Sequence, residues 1–183
     1  DRAVEAIREG REPNLDRPLA EGVEIDLHIP ALIPDDYLPD IHTRLIQYKR
    51  IANCADAEAL ESLQVEMVDR FGLLPAPTRN LRWITELKLL AQQLGITRVD
   101  AGEHGGRLEF GQDTRVDPLA LVRLVQQEPE RYQLDGGNRI RFRASMAEPG
   151  ERIDSVRALL ERLARSTGGN DASAAPAKEV AHG

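Results

Sequence analysis

Cysteine is almost absent from this sequence, and long hydrophobic runs are absent altogether. The only cysteine among the 183 residues is Cys54, which excludes an internal disulfide framework and the usual zinc sites, because these need several Cys or His ligands. The longest uncharged apolar stretches fall far short of the roughly 20 residues that a membrane-spanning helix requires, which excludes a membrane protein. A lone cysteine favours a reducing compartment, so we predict a cytoplasmic protein.

Positive charge is also scarce. The chain has 24 Lys and Arg against 31 Asp and Glu, a formal net charge of −7, whereas a duplex-binding domain usually carries a concentrated basic patch. Most of the basic residues lie within four residues of Asp or Glu, which is typical of solvated faces with scattered salt bridges. An acidic surface suits docking on a basic protein surface, or it serves solubility alone. Composition leaves both interpretations open.

The short motifs of common active sites are missing as well. The glycine pairs Gly105-Gly106 and Gly136-Gly137 have neither the spacing of a P-loop nor that of a dinucleotide-binding loop, and they predict turns instead. No HExxH or CxxC motif occurs, and no pattern places a nucleophile beside a base. We therefore expect that this part of the protein is not an enzyme and binds neither a cofactor nor a metal ion.

Hydrophobic periodicity predicts an α+β fold. Alternation over residues 23–29 indicates a half-buried strand, and the strands that flank each glycine pair predict two β-hairpins in the second half. Apolar stripes with a 3.6-residue period predict five helices, at about residues 40–53, 56–71, 78–94, 117–127 and 150–165. These elements indicate a mixed sheet of about five short strands, with the helices packed mainly on one face.

The second predicted helix carries an acidic ridge on the face that does not serve the core. Glu58 and Glu66 lie on this face together with Asp69, and Val65 stands among them. Because Glu66 and Asp69 are neighbours at i, i+3, the arrangement suits an ionic contact with an apolar anchor. An ordinary solvated helix face is the alternative interpretation.

One predicted strand carries a row of arginines. Arg139, Arg141 and Arg143 alternate along it, which places three guanidinium groups on one face of the sheet. We call these three residues the arginine strand. They are candidates for contact with phosphates or with acidic side chains. A solvated sheet face is again the alternative, since no aromatic residue shares that face.

Two segments of the chain resemble one known family. They are IPDDYLPDIHTRLIQYKRIANC at residues 33–54 and VEMVDRFGLLPAPTRNL at residues 65–81, and they are similar in order and spacing to the C-terminal domain of the bacterial transcription-repair coupling factors. The resemblance covers residues 22–165. It implies that residues 1–21 are the end of a preceding helicase motor and a linker. Residues 166–183 have almost no large aliphatic side chain, so we expect a disordered tail there.

The resemblance implies a non-catalytic regulatory domain of a larger protein. Members of the family displace stalled RNA polymerase with an ATP-driven double-stranded DNA translocase and recruit the excision-repair protein UvrA. Their ATP and magnesium sites lie in the motor, and none of the motor's ATPase motifs occurs in this sequence. In the family, the C-terminal domain docks on the UvrB-like N-terminal module of the same protein. It thereby masks the UvrA-binding surface, which is basic.

Applied to this sequence, the resemblance implies that the acidic ridge makes the docking contact. The residues expected to form the interaction surface are Glu66, Asp69, Val65, Arg70 and Glu58. The alternative is a DNA-binding accessory domain behind the motor, in which the arginine strand meets the nucleic acid.

Overall fold

The computed structural model describes residues 23–182, and it describes side chains as far as Thr167. The predicted linker at residues 1–21 lies outside the described residues. By its internal contacts the chain divides into two units, Asp1–Leu89 and Leu90–Gly183. In the described part, no helix is both long and apolar enough to cross a membrane.

The described residues form five strands and five helices. In chain order these are β1 (Glu24–Asp26), α1 (Ile41–Ala52), α2 (Ala57–Phe71), α3 (Ala76–Leu94), β2 (Ile96–Ala101), β3 (Gly105–Phe110), α4 (Pro118–Gln127), β4 (Tyr132–Leu134), β5 (Arg139–Arg143) and α5 (Pro149–His182). The predicted α+β class, with a mixed sheet of about five short strands, is confirmed. The two predicted hairpins are β2–β3 and β4–β5.

Aspartates begin three of the helices. The side chains of Asp40, Asp56 and Asp117 each accept a hydrogen bond from a backbone N–H two or three residues further on, at 2.8–3.0 Å. These bonds satisfy donors that no carbonyl within the helix can reach. The first strand is shorter than predicted, because His28 has a left-handed φ of 56°. The backbone N–H of His28 turns to Asp26 Oδ1 at 2.9 Å.

The first unit has its own hydrophobic core. Its buried members are Ile33, Leu38, Tyr48, Ile51, Leu60, Leu63, Met67, Leu74 and Leu81. Hydrogen bonds tie the proline-broken segment before α1 to this core. The Tyr48 hydroxyl accepts from the backbone N–H of Ile33 at 2.8 Å, and the Thr78 hydroxyl donates to the carbonyl of Leu32 at 3.0 Å. The packing therefore holds α1 and α2 side by side.

The second unit contains four strands in the order β2-β3-β5-β4, and all three pairings are antiparallel. One face of these strands is apolar, with Leu108, Ile140 and Phe142 buried. Because side chains alternate along a strand, the arginines of β5 lie on the opposite face. The apolar side chains of α5, among them Val156 and Leu160, are also buried.

The pairing of β3 with its neighbours β5 and β2 requires two glycines. A Cβ at Gly105 would lie 2.2 Å from the carbonyl oxygen of Phe142, and one at Gly106 would lie 2.2 Å from that of Asp100. No side chain can be accommodated at such distances, so β3 can approach both neighbours only where glycine stands. This glycine pair therefore belongs to β3, which begins at Gly105, and not to the turn that its spacing predicts.

The last helix extends further than the predicted boundary at residue 165. The α5 backbone is helical as far as His182, and the disordered tail expected at residues 166–183 stays a prediction. The extent of the functional domain, residues 22–165, stays a prediction.

Candidate interaction surfaces

The predicted interaction residues all lie off the core-facing side of α2. The core side consists of Leu60, Leu63 and Met67. Val65 on the outer side is 56% exposed, which is high for an aliphatic side chain in a helix. The other predicted residues on this outer side are Glu58, Glu66, Asp69 and Arg70. We call these five residues the α2 surface.

Glu66 is not a free acid. Its carboxylate accepts from both terminal nitrogens of Arg50 on α1, with 2.9 Å between Nη2 and Oε1 and a second contact between Nη1 and Oε2. Arg70, one turn further along α2, places its Nη1 at 3.4 Å from Oε2. The hydrogen bonds from Arg50, followed by its charge and that of Arg70, lower the pKa of Glu66 to about 2. Glu66 therefore stays ionised, but two arginines compensate its charge.

Asp69 differs from Glu66 in this respect. It is exposed, and within the described residues it forms no ion pair. Glu58 is likewise exposed, and at i, i+7 from Val65 it lies along the same line of the helix. The sequence interpretation treated Glu66 and Asp69 as an equivalent pair, whereas the structure leaves Asp69 as the acid available to a partner.

Aromatic contacts fix the C-terminal end of α2. The guanidinium carbon of Arg70 lies 4.7 Å from the ring centroid of Phe71, and Tyr37 packs edge-on against the same ring at 6.3 Å. The Tyr37 hydroxyl donates to the carbonyl of Gly72 at 2.8 Å. Directly after this anchored glycine, Leu73 is 84% exposed. The sequence interpretation missed Leu73, because it follows the helix and belongs to no periodic stripe.

The arginine strand is divided by the structure. Arg139 Nε lies 3.8 Å from Asp135 Oδ2, whereas Arg141 and Arg143 line a surface groove of about 450 Å³. Arg107 on β3 stands opposite Arg141 in the strand register and lines the same groove. Sequence reasoning missed Arg107, because only the pairing of β3 with β5 brings it beside the arginine strand. We call Arg107, Arg141 and Arg143 the arginine groove.

Comparison with known proteins gives consistent matches. The model of the TRCF domain family matches residues 27–121. The transcription-repair-coupling factor of Escherichia coli (strain K12) is 42% identical over 163 residues, which cover 89% of this chain and 14% of that protein. The protein of the same name from Haemophilus influenzae is 44% identical over 164 residues, covering 90% and 14%. The chain thus spans about one seventh of the length of these curated relatives.

A solved structure also resembles the fold. The crystal structure of a C-terminal domain of transcription-repair coupling factor superposes with a TM-score of 0.69, covering 81% of this chain and 95% of that one, at 21% sequence identity. At this identity the likeness shows the fold alone.

Proposed function

This chain belongs to the TRCF domain family, and on that premise we propose that it is a non-catalytic regulatory domain of an ATP-dependent DNA translocase. The translocase couples transcription to nucleotide excision repair. The domain docks on the UvrB-like N-terminal module of the same cytoplasmic protein and masks the binding of UvrA. RNA polymerase, ATP and magnesium are bound by other parts of that protein, and its motor moves along double-stranded DNA.

The observation that supports docking is the combination of charge and apolar exposure on the α2 surface and at Leu73, which follows it. Val65 and Leu73 are exposed at 56% and 84%, and the exposed carboxylate of Asp69 lies between them in the chain. Protein interfaces commonly place apolar anchors at the centre and charged groups around them. An acidic group at this position complements a basic partner surface.

The compensated Glu66 has a positioning role in this proposal. Arg50 and Arg70 hold its carboxylate from two sides, which joins α1 to α2 beneath the docking residues. Such bidentate pairs restrict both side chains to one geometry. The helix therefore presents Val65 and Asp69 on a rigid support, and less conformational entropy is lost on docking.

A contact of this kind is strong enough for reversible autoinhibition. Exposed ion pairs contribute only about 0–1 kcal/mol each. Within one protein, however, the tether supplies an effective concentration of about millimolar order, so a weak contact is occupied most of the time. A lock of modest free energy can also be released when another partner binds elsewhere on the protein.

Charge reversal at Asp69 tests the proposal. We expect Asp69→Lys to weaken binding of this 183-residue chain to the isolated UvrB-like module by about tenfold or more, because like charges then face each other. Titration calorimetry at two salt concentrations measures this. Glu161→Lys is the matched control, since Glu161 is an exposed acid on α5, far along the chain from the α2 surface.

The full-length protein provides the functional readout. Asp69→Lys should increase UvrA binding by the full-length translocase, whereas Glu161→Lys should leave it at the wild-type level. Unchanged masking of UvrA in the Asp69→Lys protein, with the fold intact by circular dichroism, contradicts the assignment of the α2 surface.

A further inference from the structure

The three residues of the arginine groove have no carboxylate partner within 4.0 Å among the described residues. Other arginines of the same sheet face are paired, since Arg98 lies 3.8 Å from both Asp100 and Glu109. Asp100 faces Arg107 in the register of β2 with β3, but its carboxylate is the group that approaches Arg98. The groove therefore carries an excess of positive charge, with four arginines against the two carboxylates Asp100 and Glu130, in a chain of net charge −7.

The strand register makes this arrangement unfavourable without a ligand. Arg107 and Arg141 are directly opposite each other in the β3–β5 pairing, and Gly105 is the partner of Arg143. Like charges at opposite positions destabilise a sheet. An anion bound between the two guanidinium groups would remove this repulsion. Asp100, the partner of Arg107 on β2, relieves this repulsion in part, and a bound anion would relieve it further.

We propose that the arginine groove binds the phosphodiester backbone of a nucleic acid. The groove is about 450 Å³ in volume, and its charged lining consists of Arg107, Arg131, Arg141 and Arg143 together with the two carboxylates Asp100 and Glu130. Guanidinium groups match the geometry of phosphate oxygens in a bidentate manner. Alternate residues of a strand are about 6.6–6.8 Å apart, so Arg141 and Arg143 form a linear row that suits a repeating anion.

A nucleic acid fits this surface better than an acidic protein segment does. The residues that share the arginine face of the sheet are Arg98, Asp100, Arg107, Glu109, Gln133, Arg139, Arg141 and Arg143. None of them is apolar, whereas protein partners usually require an apolar or aromatic anchor. Phosphate contacts need only positive and polar groups. The only aromatic residue that lines the groove, Phe142, is buried, so contact with the backbone rather than stacking with bases is expected.

The test measures binding of a labelled DNA duplex of random sequence to the whole 183-residue chain by fluorescence anisotropy. We expect the logarithm of the affinity to fall with the logarithm of salt concentration between about 50 and 200 mM, with a slope of about 0.9 for each phosphate contacted. The double variant Arg107→Gln/Arg141→Gln should bind about tenfold more weakly at the lower salt, with the slope reduced by about two contacts.

Two matched variants separate the groove from general charge. Arg115→Gln/Arg123→Gln removes the same charge from exposed positions of the same unit and should leave the slope unchanged. Arg107→Lys/Arg141→Lys keeps the charge and should retain most of the slope, with some loss of affinity because the bidentate fork is lost. Circular dichroism verifies that each variant is folded.

Three outcomes overturn the proposal. They are absence of DNA binding by the wild-type chain at low salt, equal loss of binding in the Arg115→Gln/Arg123→Gln control, and displacement of DNA by polyglutamate as effective as by unlabelled DNA. The last outcome identifies the groove as a site for acidic protein segments. The docking proposal for the α2 surface does not depend on any of these results, since it concerns other residues and another partner.

Discussion

Residues 1–89 contain 11 Lys and Arg against 17 Asp and Glu, whereas residues 90–183 contain 13 against 14. The first unit therefore holds most of the negative charge of the chain, and the second is nearly neutral. Net charge alone would make the first unit a binding surface for cations and give the second no preference. The ion pairs formed by individual residues indicate different roles for the two units.

In the first unit, the acid with the strongest cationic neighbours is Glu66, and Arg50 and Arg70 compensate it. In the second unit, Arg107 and Arg141 stand opposite each other without a carboxylate within 4.0 Å among the described residues. The acidic unit thus supports its candidate surface with an ion pair, whereas the arginines Arg107 and Arg141 of the nearly neutral unit form no such close pair in the described part of the chain. The comparison teaches that pairing, rather than net charge, distinguishes supporting residues from binding residues.

The largest effect on stability is expected from mutations in the hydrophobic cores, because the comparison assumes that each unit has a core of its own. Leu60 in the first unit is 1% exposed, and we expect Leu60→Ala to lower the free energy of unfolding by about 2–5 kcal/mol, because a buried cavity remains. Urea denaturation measures the loss. Amide hydrogen exchange should show the largest increase in α1 and α2, with a smaller one in β3 and β5.

Leu160→Ala is the matched change in the second unit, where Leu160 is fully buried. It should reverse the pattern and increase exchange most in the sheet. If both variants raise exchange equally in both units, the chain unfolds as one cooperative body and the division into two cores has no energetic meaning.

Much of this architecture could be predicted because its signals are local. Asp40 and Asp56 mark the starts of α1 and α2 through hydrogen bonds to residues three positions away. Glycine pairs indicate both hairpins for the same reason. The short first strand was overestimated, since alternation continues to Ile29 although the backbone turns at His28.

The candidate sites were predicted only in part, because their decisive contacts are distant in sequence. Arg50 and Glu66 are 16 residues apart, and Arg107 meets Arg141 through the strand register. Periodicity places each residue on a face but does not identify its partner across elements. For this reason Glu66 and Asp69 looked equivalent, and Arg139 looked equivalent to Arg141.

A second, smaller effect concerns the pH dependence of the Glu66 ion pair in the first unit. The hydrogen bonds from Arg50 hold the pKa of Glu66 near 2, below its ordinary 4.5. Since the pKa is lowered in the folded state, the pair stabilises the fold above about pH 4.5, and this contribution is lost as the pH falls toward 2. We expect Arg50→Gln to raise the pKa of Glu66 toward 4.5 and to reduce the decrease in melting temperature over that range.

Carbon-detected NMR titration of the Glu66 carboxyl measures this pKa directly. Arg79→Gln serves as the control, because Arg79 donates to the carbonyl of Leu74 and has no contact with Glu66. A wild-type pKa near 4.5 would show that Glu66 is as free as Asp69, and the two acids would then be equivalent on the α2 surface.

The smallest effect concerns the cost of the unpaired arginines in the second unit. Because Arg107 and Arg141 are opposed in the β3–β5 register, Arg141→Gln should raise the free energy of unfolding by about 0.2–1 kcal/mol at low salt. The gain should shrink toward zero in about 1 M salt, where screening acts over roughly 3 Å. Thermal and urea denaturation at both salt concentrations measure it.

Arg139→Gln is the matched control on the same strand, and it should give no gain, since Arg139 lies 3.8 Å from Asp135. A loss of stability in Arg141→Gln would mean that Arg141 supports the sheet, as Arg50 supports the α2 surface, and the contrast between the two units would disappear.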